Sequence, residues 1–183
     1  PLYSSAASDV YKRQALQLPS QRLIVIGGDH NYPPFEYLDE EGRPAGFNVE
    51  LTRAIAHEMD LDVEIRLGPW TEIRQALADG RIDAVQGMFY SAERDLQFDF
   101  TPSHTVTHYV AVMRKGEAAL PTSVDELAGR RIVVQQGDIM HEFLVEKGLG
   151  DAVSVVGSQE EALRALAAGE YDCAFVARLT ALY

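Results

Sequence analysis

From Arg22 to Asp29 the chain reads Arg-Leu-Ile-Val-Ile-Gly-Gly-Asp, an apolar run that ends on two glycines. A short continuous apolar run of this kind is typical of a strand that is covered on both faces, as in a parallel sheet. A second stretch, from Arg131 to Asp138, reads Arg-Ile-Val-Val-Gln-Gln-Gly-Asp. Because the two stretches share one pattern, we predict that they are strands in equivalent places of two similar units.

Another pair of similar stretches supports this division. Residues 76–83 read Ala-Leu-Ala-Asp-Gly-Arg-Ile-Asp, and residues 165–172 read Ala-Leu-Ala-Ala-Gly-Glu-Tyr-Asp. The two pairs occur in the same order at unequal separations, which indicates two related units with different insertions. Strand patterns alternate with helical patterns, so the sequence predicts an α/β fold with two small lobes. We expect Asp83 and Asp172 to make the same structural contact in each lobe.

The helical and extended patterns between these stretches complete the predicted element order. Helices are expected over 48–59, over 71–78 with Thr71 as the cap, over 138–146 and over 158–168. Ser123 and Glu126 have the spacing of a capping box for a further short helix. The segments 97–100 and 106–113 have the aromatic and β-branched content of strands, and we expect the second of these to be the hinge between the lobes.

Composition excludes several classes of partner. The formal net charge of the chain is −12, which argues against nucleic acid and against an anionic membrane surface. No apolar run is long enough for a transmembrane helix. The single cysteine, Cys173, lies in an apolar strand pattern, so we expect a buried thiol and no internal disulfide.

The first residues of the chain are set aside from the fold. The run from Ser4 to Gln14 can be read as the in-frame translation of a sequencing-library adapter, so residues 1–14 are expected to be an artefact. We therefore expect the true N-terminus to be missing, and with it any signal peptide.

A candidate binding site begins at Gly87, where the chain reads Gly-Met-Phe-Tyr-Ser-Ala-Glu-Arg-Asp up to Asp95. Ser91 can cap a helical turn that has Arg94 in its first residues. Free amides and a guanidinium at one place suit a small carboxylate. A surface turn with a solvated arginine would produce the same pattern, so the surrounding chain has to decide between the two.

The neighbouring strand ends favour a ligand site. In open parallel sheets, ligands bind at the carboxyl ends of the strands. Here those ends carry Gly28 with Asp29, the segment 68–70, the segment 87–94, and Gly137 with Asp138. Two lobes that face each other across these ends would form a cleft.

The sequence lacks the motifs of nucleotide and metal chemistry. No glycine-rich phosphate-binding pattern is present. His57-Glu58 and His141-Glu142 each begin a zinc-protease motif, but Leu61 and Val145 stand where the second histidine would fall. We therefore expect no metal and no cofactor.

An ordered set of motifs resembles one protein family. The motifs lie at 28–36, 46–51, 80–84, 93–101 and 134–137. From residue 22 to the end, the chain is similar to the bacterial extracytoplasmic solute-binding proteins of the amino-acid-binding type, family 3. The sequence of residues 87–94 resembles the corresponding sequence in the sensor domains of hybrid histidine kinases and diguanylate cyclases. The resemblance implies a type II periplasmic-binding-protein-like fold of two α/β lobes, 22–112 and 113–183, whose return to the first lobe is missing.

The same resemblance implies a set of ligand-binding residues. Arg94 matches the arginine that clamps the ligand carboxylate, and Gly137 to Ile139 match a helix start that contributes amides to it. Ala177 stands where the family has the acidic partner of the ligand's ammonium, so a carboxylate is implied and an amine is left open. The residues expected to line the site are Asp29, Tyr32, Phe35, Trp70, Gly87, Met88, Phe89, Arg94, Gly137, Asp138 and Ile139.

The function implied by the resemblance is binding without catalysis. We expect a small anionic solute to be bound in the periplasm or another extracytoplasmic space, and closure of the lobes to be passed to a membrane sensor. One alternative is a substrate-binding protein that feeds an ABC importer. Another is an enzyme similar to cyclohexadienyl dehydratase, for which Glu36 and Asp138 are the candidate general acids.

Overall fold

In a computed structural model, which describes residues 22–116 and 121–183, the chain forms two α/β units. The adapter-like residues 1–14 lie outside the described part of the chain. Each unit contains a set of parallel strands with helices packed against it, as the repeated strand–helix pattern predicts.

The first unit is built on a three-stranded parallel sheet in the order β5-β1-β6. Ile24 lies opposite Val63 and Asp29 opposite Gly68, so β1 and β5 end at the same level. A small antiparallel sheet, β2-β3-β4, follows β1 directly. The strands are β1 (Ile24–Asp29), β2 (Asn31–Tyr32), β3 (Glu36–Leu38), β4 (Pro44–Ala45), β5 (Val63–Gly68) and β6 (Ala84–Val85), and the helices are α1 (Phe47–Met59), α2 (Trp70–Ala78) and α3 (Ala92–Asp95).

The second unit is a four-stranded sheet in the order β7-β10-β8-β9. Strand β8 pairs in parallel with β9 and β10, whereas β7 runs antiparallel to β10 at the edge. The strands are β7 (Tyr109–Val112), β8 (Ile132–Gln135), β9 (Val153–Val156) and β10 (Cys173–Ala177), and the helices are α4 (Ile139–Glu146), α5 (Gln159–Ala167) and α6 (Arg178–Leu182).

The segment expected to be a hinge contributes only a short strand. Within 106–113, the residues Tyr109 to Val112 are extended and paired, and they belong to the sheet of the second unit. The division into lobes 22–112 and 113–183 therefore remains a prediction, and the pairing of β7 places 109–112 with the later residues.

Each unit has its own apolar core. In the first, helix α2 packs Ile73 and Ala76 against Ile82 and the sheet. In the second, Val133 and Ile132 point to opposite faces of β8, as alternation along a strand requires, and each face is covered by a separate cluster. Coverage of both faces explains why β8 is a continuous apolar run.

Three local sequence predictions are wrong. Helix α2 begins at Trp70 after Pro69, with no side-chain cap from Thr71, because proline already holds a backbone angle suited to a helix start. The short helix near Ser123 is a single 3₁₀ turn, Asp125–Leu127, and Glu126 accepts from Thr122 and not from Ser123. Residues 97–100 are not a strand, since Gln97 and Phe98 donate back to the Arg94 carbonyl and continue the turn after α3.

Asp83 and Asp172 make similar contacts, since each pairs with the arginine that begins the matching stretch and accepts from a backbone amide near it. The Asp83 carboxylate accepts from the Val25 amide at 2.9 Å and pairs with Arg22. The Asp172 carboxylate accepts from the Arg131 amide at 2.9 Å and from its guanidinium at 2.6 Å. In each unit, the aspartate ties the start of the first parallel strand to the segment before a later strand.

We expect replacement of Asp172 by asparagine to reduce stability by about 1 kcal/mol at pH 7, because a charge-assisted contact is lost at a partly exposed site. The Arg131 guanidinium, followed by the Arg131 amide, lowers the pKa of Asp172 from 3.8 to about 2. The stabilisation is therefore present above the ordinary pKa and is lost as the pH falls through the folded-state pKa. Urea unfolding from pH 2 to pH 7 measures it.

Asp62→Asn is the matched control, because Asp62 is an exposed carboxylate just before β5. If Asp172→Asn and the control unfold with the same free energy at pH 7, the structural role assigned to Asp172 is wrong.

Candidate functional site

A cavity of about 650 Å³ lies between the two units. Its walls come from the end of β1, the segment 83–105 and α2 on one side, and from Gln135, Asp138, Ile139 and Gln159 on the other. All the site residues expected from the sequence line this cavity except Gly137, which lies next to it. The strand ends therefore converge as the topology of open parallel sheets requires.

Arg94 is positioned by the turn in which it lies. Ser91 caps α3, its hydroxyl accepting from the Arg94 amide at 3.2 Å, as predicted. The guanidinium folds back on the same turn and donates through Nη1 to the Phe89 carbonyl at 3.1 Å. Arg94 is only 2% exposed, so its charge needs partners inside the protein.

Two of those partners come from the second unit. Arg94 Nε donates to Glu142 Oε2 at 2.9 Å, and Nη2 donates to the Gly137 carbonyl at 3.1 Å. Arg74 contacts the same two residues, donating to Glu142 Oε1 at 2.6 Å and to the Gly137 carbonyl at 2.8 Å. Trp70 Nε1 is a third donor to that carbonyl, at 2.9 Å. The two units are joined here by five hydrogen bonds that converge on Glu142 and Gly137.

Glu142 and Arg74 are not among the site residues expected from the sequence. In the sequence, His141-Glu142 matches only the beginning of a zinc-protease motif. In the structure, Glu142 lies in the first turn of α4, beside the predicted site. Trp70 and Arg74 are four residues apart on α2, and this spacing places both on one helix face. That signal could have grouped Arg74 with Trp70.

Gly137 presents its carbonyl to Arg94, whereas the resemblance implied that its amide would face the ligand. A trans peptide places C=O and N–H on opposite sides, so the Asp138 amide points away and donates to the Gln135 carbonyl at 3.3 Å. The Gly137 amide donates to His141 Nδ1 at 3.3 Å. The left-handed backbone of Gly137, φ 71°, allows this turn.

Asp138 caps helix α4 and closes one wall of the cavity. Its carboxylate accepts from the Met140 amide at 3.1 Å, from the Tyr109 hydroxyl at 2.6 Å and from Gln159 Nε2 at 2.9 Å. Gln159 in turn accepts from the Ala177 amide at 2.8 Å. Burial raises the pKa of Asp138. Tyr109 and Gln159 are not among the expected site residues, since nothing in their local sequence pattern indicates that they share a carboxylate.

A second buried network lies at the end of β1. Gln135 donates to Asp29 Oδ2 at 2.6 Å across the cavity, and the Asp29 amide donates to Glu36 Oε1 at 2.8 Å. Asn48 donates to the other oxygen of Glu36 at 3.1 Å. Glu36 is 1% exposed, and burial raises its pKa to about 7. Burial also raises the pKa of Asp29.

Aromatic rings form the apolar walls. Tyr32 stacks on Phe35 with ring centroids 5.1 Å apart, and Phe89 meets Tyr109 edge to face at the same distance. The Tyr32 hydroxyl is buried, and among the described residues it has no hydrogen-bond partner. Burial, followed by the charges of Asp138, Glu36 and Asp29, raises the pKa of Tyr32.

Within residues 22–116 and 121–183, no group of three or more histidine, cysteine, aspartate or glutamate side chains could hold a metal ion. His104 lies with Nε2 3.3 Å from Asn48 Oδ1. Cys173 is buried, as expected, and burial raises the pKa of its thiol to about 11. In the same part of the chain, no helix combines the length and the apolar character that a membrane span requires.

We expect Glu36→Gln to remove a pH dependence of stability. The folded-state pKa of Glu36 is about 7 against an ordinary value of 4.5, so the folded protein favours the protonated acid. The wild type should therefore lose up to about 3 kcal/mol relative to Glu36→Gln as the pH rises between these two values. Denaturant unfolding at pH 4 to 8 measures the difference.

Glu40→Gln, at an exposed position on the same strand–turn segment, should keep the wild-type pH profile. A Glu36→Gln profile parallel to that of the wild type would contradict the assigned pKa.

Comparisons with known proteins agree with this architecture. The family model of the bacterial extracellular solute-binding proteins, family 3, matches residues 24–148. The L-cystine-binding protein TcyJ of Escherichia coli is 27% identical over 160 residues, covering 87% of this chain and 60% of the relative. The L-arginine-binding protein of Pseudomonas aeruginosa is 30% identical over 163 residues, covering 86% of this chain and 62% of the relative.

Among solved structures, a histidine kinase sensor domain with similarity to periplasmic binding proteins superimposes with a TM-score of 0.84 at 44% identity. The match covers 89% of this chain and 71% of that structure. The chain spans about 60% of the length of the curated relatives named above. Its fold is the type II periplasmic-binding-protein fold. The chain belongs to the bacterial extracellular solute-binding proteins, family 3.

Proposed function

We propose that this chain binds a small carboxylate-bearing solute in the cavity between its two units, and that it does so as the extracytoplasmic sensor domain of a membrane signalling protein. The observation that carries the proposal is the buried Arg94 in the cavity wall, held by residues of both units. A solute that contacts Arg94 would also contact the junction between the units. Binding and closure would then be coupled.

The charges around Arg94 favour an anion. Arg94 and Arg74 share the single carboxylate of Glu142, so these three side chains carry one positive charge in excess. Asp138 is a further carboxyl group whose charge acts on Arg94. A guanidinium has five N–H donors, and the three contacts of Arg94 leave donors for a carboxylate. Carboxylates bind such a fork with two parallel hydrogen bonds.

An amino group on the solute is compatible with the same cavity. Ala177 offers no charge, but Asp29 and Asp138 both line the cavity. Relatives of the chain are described as binding L-cystine and L-arginine, both of which carry an amine and a carboxylate. We therefore propose an amino-acid-like solute first and another organic anion second.

The sensor role rests on the 44% identity to a histidine kinase sensor domain. A role in an ABC importer is the alternative, supported by a relative of Escherichia coli that is described as a putative ABC transporter arginine-binding protein and is 29% identical. The gene sequence that follows the codon for Tyr183 distinguishes them. A transmembrane segment followed by a signalling domain supports the sensor, and a stop codon soon after the return to the first lobe supports the transport receptor.

Binding is favoured over catalysis by the state of the two candidate acids. Glu36 is engaged by the Asp29 amide and Asn48, and Asp138 by Tyr109, Gln159 and the Met140 amide. Each therefore has a structural role that accounts for its burial. Incubation with prephenate tests the enzymatic alternative, and formation of an aromatic product would support it.

We expect Arg94→Ala to weaken the binding of carboxylate solutes at least about a hundredfold, because two charge-assisted hydrogen bonds are lost. A thermal-shift screen of amino acids and organic acids identifies solutes, and isothermal titration measures the affinities. A hundredfold excess over the dissociation constant should stabilise the wild type by about 2.7 kcal/mol.

Arg53→Ala is the control, since Arg53 is exposed on α1, where it pairs with Glu50 and donates to the Pro44 carbonyl. Arg94→Lys keeps the charge, so a variant that folds remains available for titration. If folded Arg94→Ala or Arg94→Lys binds carboxylate solutes with the wild-type affinity, the assignment of Arg94 as the carboxylate anchor is wrong.

A further inference from the structure

Glu142 is the only carboxylate of α4's first turn, and it projects toward the other unit. Each of its oxygens is taken by a different arginine, Oε1 by Arg74 at 2.6 Å and Oε2 by Arg94 at 2.9 Å. The acceptor therefore belongs to the second unit and both donors belong to the first. Separation of the units would break both ion pairs together.

The contact is sheltered enough to matter energetically. The side chain of Arg94 is 2% exposed, that of Arg74 21% and that of Glu142 27%. Exposed ion pairs contribute little because water and salt screen them, whereas loss of one partner of a buried pair is costly since the other charge is left uncompensated. Arg94 is close to the second case, because opening would leave its guanidinium with only the Phe89 carbonyl among the acceptors described.

The geometry also fixes where the guanidinium points. Glu142 holds Nε, the Gly137 carbonyl holds Nη2, and the Phe89 carbonyl holds Nη1. Three acceptors in three directions define the plane and the rotation of the group. The remaining N–H donors are thereby preset for a solute before it binds.

We propose that Glu142 is a positioning residue that ties the two units together through Arg94 and Arg74, and so favours closure of the cavity and orients Arg94. Both ion pairs of this tie are formed between side chains of the protein, without a bound solute. Its effect on closure stands independently of the proposed function, whereas its effect on solute affinity rests on that function.

Other contacts between the units set the size of the expected effect. Asn31 donates to Ser158 and Glu160, Thr180 donates to the Pro33 carbonyl, and Gln135 donates to Asp29. These contacts do not involve α4. Loss of Glu142 should therefore shift the balance between closed and open forms without separating the units completely.

Energy transfer between two fluorophores tests closure without any solute. Glu41→Cys in the β3–β4 turn and Asp151→Cys before β9 place one label on an exposed position of each unit. Cys173 is fully buried, so the introduced thiols are the ones that react. We expect Glu142→Gln to lower the transfer efficiency, because a neutral amide cannot hold two guanidinium groups.

Glu146→Gln is the matched control, since Glu146 is an exposed glutamate on the same helix and pairs with its neighbour Lys147. Arg74→Gln provides a second variant that leaves Arg94 and Glu142 intact, and it should lower the transfer in the same direction. Circular dichroism establishes that each variant is folded. If folded Glu142→Gln and Arg74→Gln both give the wild-type transfer efficiency, the tie is refuted.

Titration with a carboxylate solute found in the screen tests the positioning role. If about a tenth of Glu142→Gln molecules are in the closed form, the apparent affinity of this variant for the solute should fall about tenfold. The affinity of Glu146→Gln should stay at the wild-type value. An unchanged affinity in folded Glu142→Gln would overturn the positioning role. If the wild type binds no solute at all, the proposed function fails, and the transfer measurement alone decides on the tie.

Discussion

The carbonyl group of Gly137 accepts hydrogen bonds from Trp70, Arg74 and Arg94, three donors that belong to the other unit. Such convergence requires a peptide whose oxygen faces the cavity, and the positive φ of Gly137 allows it. A side chain at this position would also approach Thr71 within 3.2 Å. The relative placement of α2, α3 and the start of α4, and with it the wall of the cavity, depends on this one acceptor together with Glu142.

The polar groups of the cavity are organised by hydrogen bonds that cross between structural elements. Asp138 caps α4 while it holds Tyr109 of β7 and Gln159 of α5, and Gln159 reaches the end of β10. Asp29 connects β1 with Gln135 of β8. A buried carboxylate is tolerated because hydrogen-bond donors compensate the loss of water. Asp29 and Asp138 therefore connect structural elements and also line the cavity.

Much of the fold could be predicted from local patterns. The matching stretches 22–29 and 131–138 contain β1 and β8, and Asp83 and Asp172 each pair with the arginine that begins the matching stretch. Predictions were wrong where the signal was weak. Residues 97–100 have the composition of a strand but continue the turn after α3, and only four residues of 106–113 pair in a sheet. Composition reports side-chain preference, whereas strand pairing depends on the neighbouring strand.

The sequence by itself determined the α/β class, the two similar units, the strand ends that meet at the cavity and the Ser91 cap that positions Arg94. These features depend on residues close together in the chain or on general rules of sheet topology. Only the tertiary structure decided that Glu142 and Arg74 join Arg94, that Gly137 presents a carbonyl instead of an amide, and that Gln159 and Tyr109 share Asp138. Arg94 and Glu142 are 48 residues apart, and such a pair is defined by the packing of two units against each other, which no local pattern encodes.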